Sequence, residues 1–140
     1  MSSKIVYDAV VLGIMNSFEK ITHATLKDCI VEAEKIMFVV NIGQMRKALG
    51  KNAENVKKLS ERFKKKIKIV EYSEDMLQLI QNFIRPLKVD NIYQQEGIVV
   101  LESADTKTKG LLIGRAAQNL RRLEDYIRRY FSELKEIKVV

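Results

Sequence analysis

Apolar residues recur along the chain with a spacing that changes from block to block, and the changes mark element boundaries. Over residues 4–21, Ile5, Ala9, Leu12, Phe18 and Ile21 stand among many other apolar positions, which predicts a helix buried on much of its surface. Two β-rich runs follow, TLKDCIVEA (25–33) and KIMFVVNI (35–42). The polar stretch from Glu32 to Lys35 between them reads as a hairpin turn. MRKALG is then a short helix ending at Gly50. ENVKKLSERFKK is a longer one, with Ala53, Val56, Leu59 and Phe63 on one face, and KIKIVEY (66–72) closes the series as a strand.

The second half repeats that order. SEDMLQLIQNFIRP (73–86) predicts a helix with Ser73 as N-cap, Glu74 and Asp75 at the positive end of its dipole, and Pro86 as its stop. KVDNIYQQ and GIVVLES form the next hairpin, and TKTKGLLIG a short helix. QNLRRLEDYIRRYFSEL is a long helix with Leu120, Leu123, Ile127 and Phe131 on its core face. EIKVV (136–140) is the last strand. The series α-β-β-α-α-β therefore appears twice, in an α+β chain of two small domains, 1–72 and 73–140. No Pro/Gly/Ser linker separates them, so two rigidly docked domains are expected.

The repeat extends to the joint between the short and long helices, LGKNAENVKKL (49–59) and IGRAAQNLRRL (113–123). Gly50 aligns with Gly114, Asn55 with Asn119, Val56 with Leu120, Lys57-Lys58 with Arg121-Arg122, and Leu59 with Leu123. Charge concentrates at the same places. The 140 residues carry a formal net charge of +7. From Arg46 to Lys68 ten bases face only Glu54 and Glu61; from Lys107 to Arg129 seven bases face only Glu124 and Asp125. The rest of the chain carries more acids than bases. A polyanionic partner is favoured, with the joints as its place.

The chemistry of the joint agrees. Glycine permits φ > 0 and removes a side chain, so a ligand backbone can approach closely. The helix that begins there offers free N–H groups and the positive end of its dipole. Lys51 or Arg115 adds a full charge. A single such glycine reads equally well as a helix C-cap; two of them, each beside clustered bases, favour a sugar-phosphate backbone as ligand.

Other chemistry is excluded or unsupported. With one cysteine, Cys29, and one histidine, His23, neither an internal disulfide nor a Cys/His zinc set is available. Cys29 lies in an apolar run and is expected to be a buried structural residue in a cytoplasmic protein. The carboxylates are scattered, and there is no nucleophile–base set, metal-ligand spacing or Walker-type loop, so no enzyme activity, cofactor or metal is expected. The longest uncharged N-terminal run, AVVLGIMNSF (9–18), is shorter than the roughly 20 residues that span a bilayer. Asp8 precedes it and no small-residue cleavage site follows, so no signal peptide is expected either.

The two joints resemble the I-G-x-x-G loop and following helix of KH domains, which clamp about four nucleotides of single-stranded nucleic acid there. The order α-β-β-α-α-β is similar to the type II, or prokaryotic, KH topology. ITHATLKDCIVEAEKIMFVVNIGQM, the connection IVEYSED and LLIGRAAQN resemble the tandem KH segment of the NusA family of transcription factors, above all its short archaeal form. The resemblance covers nearly the whole chain. It implies a monomeric single-strand RNA-binding protein in transcription elongation or termination, with RNA polymerase as a further partner and no membrane.

The residues it assigns to RNA are Gly50, Lys51, Asn52, Ala53, Asn55, Val56, Lys57 and Lys58, with Gly114, Arg115, Ala116, Ala117, Asn119, Leu120, Arg121 and Arg122. Bases would rest near Val56 and Leu120. Three departures stand out. The family loop usually ends in glycine, where this chain has Ala53 and Ala117; alanine is the best helix former and suits a helix start, but adds a methyl group where RNA would pass. His23 stands where relatives tend to have glycine. The polymerase-binding and OB-fold domains of bacterial NusA are not found in these residues. The alternatives are an RNA-binding module in ribosome assembly or RNA processing, a protein-interaction scaffold with degenerate loops, and single-stranded DNA as the ligand.

Overall fold

The computed structural model describes residues 5–140, so Lys4, where the predicted first helix begins, lies outside the described residues. Two compact units are found, one comprising Val6–Ser73 and the other containing Glu74–Val140. The first runs α1 (Ala9–Thr22), β1 (Leu26–Val31), β2 (Lys35–Val40), α2 (Met45–Leu49), α3 (Glu54–Phe63) and β3 (Lys66–Glu71). The second runs α4 (Met76–Ile84), β4 (Asn91–Gln95), β5 (Ile98–Glu102), α5 (Thr106–Ile113), α6 (Gln118–Arg128) and β6 (Glu136–Val139).

The sheets follow from the connections. The tight turn after β1 makes β1 and β2 antiparallel, with Cys29 opposite Phe38. The two helices between β2 and β3 carry the chain back to the starting end of the sheet, so β2 and β3 are parallel, with Phe38 opposite Ile69. The second sheet repeats this: β4 and β5 antiparallel, β5 and β6 parallel, in the order β4-β5-β6.

In the first unit the central strand is apolar after Lys35, and Ile36 to Val40 are all buried. The Phe38 ring stacks on Phe18 of α1, with centroids 4.3 Å apart, and meets Phe63 at the end of α3 at 6.2 Å. Cys29, Ala48, Leu59 and Ile69 join this cluster. In the second unit Phe83 of α4 stacks on Tyr126 of α6, with centroids 5.6 Å apart.

Several sequence expectations are corrected. Residues 5–8 are not helical. Asp8 accepts the Val11 N–H at 2.9 Å and caps α1 at Ala9. That helix buries only Phe18 and Thr22, while Val10 (71% exposed) and Leu12 (48%) face outward. Asp75, not Ser73, caps α4: its carboxylate accepts the Leu77 N–H at 3.1 Å, and the helix starts at Met76. α6 stops at Arg128, where the guanidinium turns back onto the carbonyls of Leu134 and Lys135, so Phe131 lies beyond the helix. His23 has φ 62° and ends α1, its N–H bonded to Glu19 O at 2.8 Å. Glycine is the residue favoured at that left-handed position.

Because Phe38 joins α1, the sheet and α3, Phe38→Ala is expected to cost about 3–5 kcal/mol, measured by urea unfolding. A cost below about 1 kcal/mol would contradict its central place.

Candidate nucleic-acid interface

α2 and α5 each end on a glycine that only glycine satisfies. Gly50 has φ 74° and ψ −177°, and Gly114 has φ 73° and ψ 178°. With φ positive and ψ extended, this region is essentially closed to residues with a Cβ. The glycine N–H still closes the last helical turn, onto Arg46 O at 3.0 Å and Gly110 O at 2.8 Å. One tight turn of 3₁₀ type follows, Lys51–Ala53 or Arg115–Ala117, with Ala53 N–H bonded to Gly50 O at 3.2 Å and Ala117 N–H to Gly114 O at 3.3 Å. The next helix begins at once.

The two loops match residue by residue in backbone conformation. Asn52 and Ala116 are left-handed (φ 56° and 52°), and so are Ala53 and Ala117 (φ 56° and 60°). This corrects the expectation for the alanines. They stand at the N-cap, not inside the helix, and Ala53 is exposed and not part of the core face of α3. High helix propensity is no advantage there. Left-handed backbone costs a residue with a Cβ about 1–2 kcal/mol, a cost that glycine at the same place would avoid.

These conformations aim the loop outward. Lys51, Asn52, Arg115 and Ala116 are exposed. Neither Ala53 nor Ala117 offers a side-chain oxygen to the helix it precedes, so no side chain of the cap competes for the first-turn N–H groups of α3 and α6. A positive helix end and a cationic side chain thus meet at each joint, an arrangement that suits a phosphate.

The remaining predicted residues divide. Lys57, Lys58, Arg121 and Arg122 are exposed on the helices after the loops. Lys58 lies 3.9 Å from Glu54 in an exposed pair of little energetic weight. Val56 is half-buried against the first core, and Leu120, 6% exposed, belongs to the interior, so Leu120 is not a surface on which a base rests. Asn55 is buried and Asn119 exposed, yet both amides turn toward the end of the preceding helix.

The two units also differ in how one matching pair of bases is partnered. Arg121 Nη1 lies 2.9 and 2.8 Å from the two carboxylate oxygens of Glu124, whose side chain is only 4% exposed. Glu124 also accepts the N–H of Ile137 in β6 at 2.8 Å. Arg121 therefore neutralises a buried acid, and that hydrogen bond first, then the acid's charge, holds its guanidinium even further above its ordinary range. Lys57 holds the matching place in the first unit, and among the described residues it forms no ion pair. The sequence signal for this contact, an acid three residues after an arginine on a helix, was present but passed as surface charge.

Among the described residues no group of three or more His, Cys, Asp or Glu side chains is gathered to hold a metal ion, and no helix is long and apolar enough to cross a membrane.

Comparison with known proteins agrees with this geometry. The family described as KH domain matches residues 14–103. The chain is 36% identical over 126 residues to a "Probable transcription termination protein NusA" of Methanococcus vannielii, covering 88% of this chain and 72% of that one. It is 32% identical to the protein of that name in Methanocaldococcus jannaschii, over 88% of this chain and 68% of the relative. A solved structure titled "Crystal structure of APE1850" is similar with a TM-score of 0.73 at 26% identity, over 96% of this chain and all of that one.

Two outcomes test the local geometry. Ala53→Gly and Ala117→Gly are each expected to stabilise the protein by about 1 kcal/mol, read from the urea midpoint; destabilisation would mean that the loops are not left-handed in solution. Arg121→Ala is expected to lower the thermal midpoint, because Glu124 is left buried without its counter-ion. Lys57→Ala is expected to leave it unchanged.

Proposed function

Since the chain belongs to the KH-domain family, in its archaeal NusA-like branch, we propose that it binds single-stranded RNA through both loops and acts in transcription termination or elongation. One observation carries this reading. Two loops that share only a glycine, a base and a final alanine adopt the same succession of positive φ angles. Each stands at the open end of a basic helix. Under this reading residues 1–72 and 73–140 are two type II KH domains in tandem. Each loop takes a stretch of sugar-phosphate backbone of about four nucleotides.

Gly50 and Gly114 set the turn that opens each loop, while the N–H groups at the starts of α3 and α6 face the phosphates of the RNA backbone. Lys51 and Arg115 supply charge beside them, and Lys57, Lys58 and Arg122 supply it further along the helices. Arg121 contributes less, since it is held on Glu124. The edges of unstacked bases meet main-chain groups near Val56. Two sites on one chain raise the overall affinity through effective concentration. The protein works as a cytoplasmic monomer without a cofactor, and RNA polymerase is its second partner, approached through the bound transcript.

The left-handed alanines are the observation that favours a different reading, a scaffold whose loops no longer admit RNA, since each carries a methyl group at the far side of the clamp.

The parent protein is expected to bind single-stranded RNA with a log-log salt slope near −0.7 per phosphate contacted. The double variants Lys51→Asp with Asn52→Asp, and Arg115→Asp with Ala116→Asp, place acids on the exposed loops, and aspartate tolerates the left-handed backbone of positions 52 and 116. Each is expected to bind more weakly and to flatten the slope by about 0.7 for every phosphate lost. Folded variants that bind as the parent does would refute the loop clamp. A parent without salt-sensitive RNA binding would select the scaffold. Recovery of polymerase subunits with the tagged protein separates transcription from RNA processing.

A further inference from the structure

The exposed loop residues are not fixed by burial, and their backbone lies in a region that alanine disfavours. Something else must hold them. In each unit one side chain crosses the joint. Asn55, in the first turn of α3, donates its Nδ2–H to Lys47 O at 3.3 Å. Asn119, in the first turn of α6, donates its Nδ2–H to Leu111 O at 2.9 Å. Both donors stand five residues after the glycine and both acceptors three residues before it.

The acceptors are among the last carbonyls of α2 and α5, which have no partner within their own helix. The carbonyl just before each is already taken by the glycine N–H. The asparagine amide also fills the space beside the glycine. A Cβ built on Gly50 would lie 2.8 Å from Asn55 Nδ2, and one on Gly114 would lie 2.6 Å from Asn119 Cγ. The glycine and the asparagine are therefore one device: the missing side chain makes room for the amide, and the amide ties the end of one helix to the start of the next.

We infer that Asn55 and Asn119 are positioning residues, which hold the two loops in the conformation that receives RNA and contact no RNA themselves. The inference rests on the RNA-binding reading above and removes these residues from the direct contacts expected for them. It also accounts for the tolerance of Ala53 and Ala117, whose left-handed backbone is kept by the tie.

The test uses the full chain. Asn55→Ala and Asn119→Ala are made in the parent and in the Ala53→Gly and Ala117→Gly backgrounds. Asn55→Leu and Asn119→Leu keep most of the volume but cannot donate. Without RNA, exchange of the loop amides of Ala53, Glu54, Ala117 and Gln118 is compared with that of residues 36–40 in β2. Affinity is then measured for oligo(U), oligo(A) and oligo(C) at one salt concentration.

Loss of one such hydrogen bond is expected to speed loop exchange about fivefold and to weaken binding about fivefold for all three oligonucleotides, with β2 unchanged. In the glycine backgrounds, where less backbone strain drives the loop away, the loss should shrink to about twofold. The leucine variants should behave like the alanine ones. A loss that depends on the base would make the asparagines direct contacts and overturn the inference. Equal losses in alanine and glycine backgrounds, or leucine variants equal to the parent, would overturn it too. A parent that binds none of the oligonucleotides refutes the RNA reading instead, while unchanged loop exchange refutes the tie whatever the RNA does.

Discussion

The reversal at Gly50 and Gly114 is the constraint on which the rest of each unit depends. A backbone at φ near 74° with ψ near 180° cannot be held by a residue with a Cβ. Without it the short helix would run on into the long one. The open end of the long helix would be lost inside a continuous helical ladder, and the chain would not return to lay β3 beside β2 or β6 beside β5. Sheet order, helix packing and a positive, accessible helix end thus share one local cause.

Much of this was legible in the sequence. The alternation of β-rich runs with helical spacing yields the order of elements, and Gly50 and Gly114 mark the joints. What was not legible has physical reasons. Alanine carries no signal for a left-handed conformation, so Ala53 and Ala117 read as helix starters when tertiary constraint had overridden their propensity. The apolar first helix reads as buried because periodicity reports which face is apolar and not whether anything covers it, and Val10 and Leu12 are left exposed. Leu120 was assigned to the ligand because it aligns with Val56, but the matching position sits deeper in the second unit. Glu124 looked like a surface acid; its burial follows from the N–H of Ile137, a residue distant in sequence that no local pattern reveals.

The two joints share a backbone but not an electrostatic setting. Where the first unit has Ser60, the second has Glu124, and that acid commits Arg121 to an internal role. In the second unit Arg128 is likewise drawn onto the carbonyls of Leu134 and Lys135 and lies 3.6 Å from Asp125. The formal charge of the second segment therefore overstates the charge available to a ligand. On α3 more of the positive charge is free to face solvent than on α6.

The acceptors of the asparagine amides are main-chain carbonyls, and a carbonyl is present whatever side chain the residue carries. Positions 47 and 111 accordingly hold lysine in one unit and leucine in the other with the same bond intact. Inheritance of the loop is then carried by two letters, a glycine and an asparagine five places on. The side chain at the acceptor position can then change, as Lys47 and Leu111 do, without rebuilding the loop.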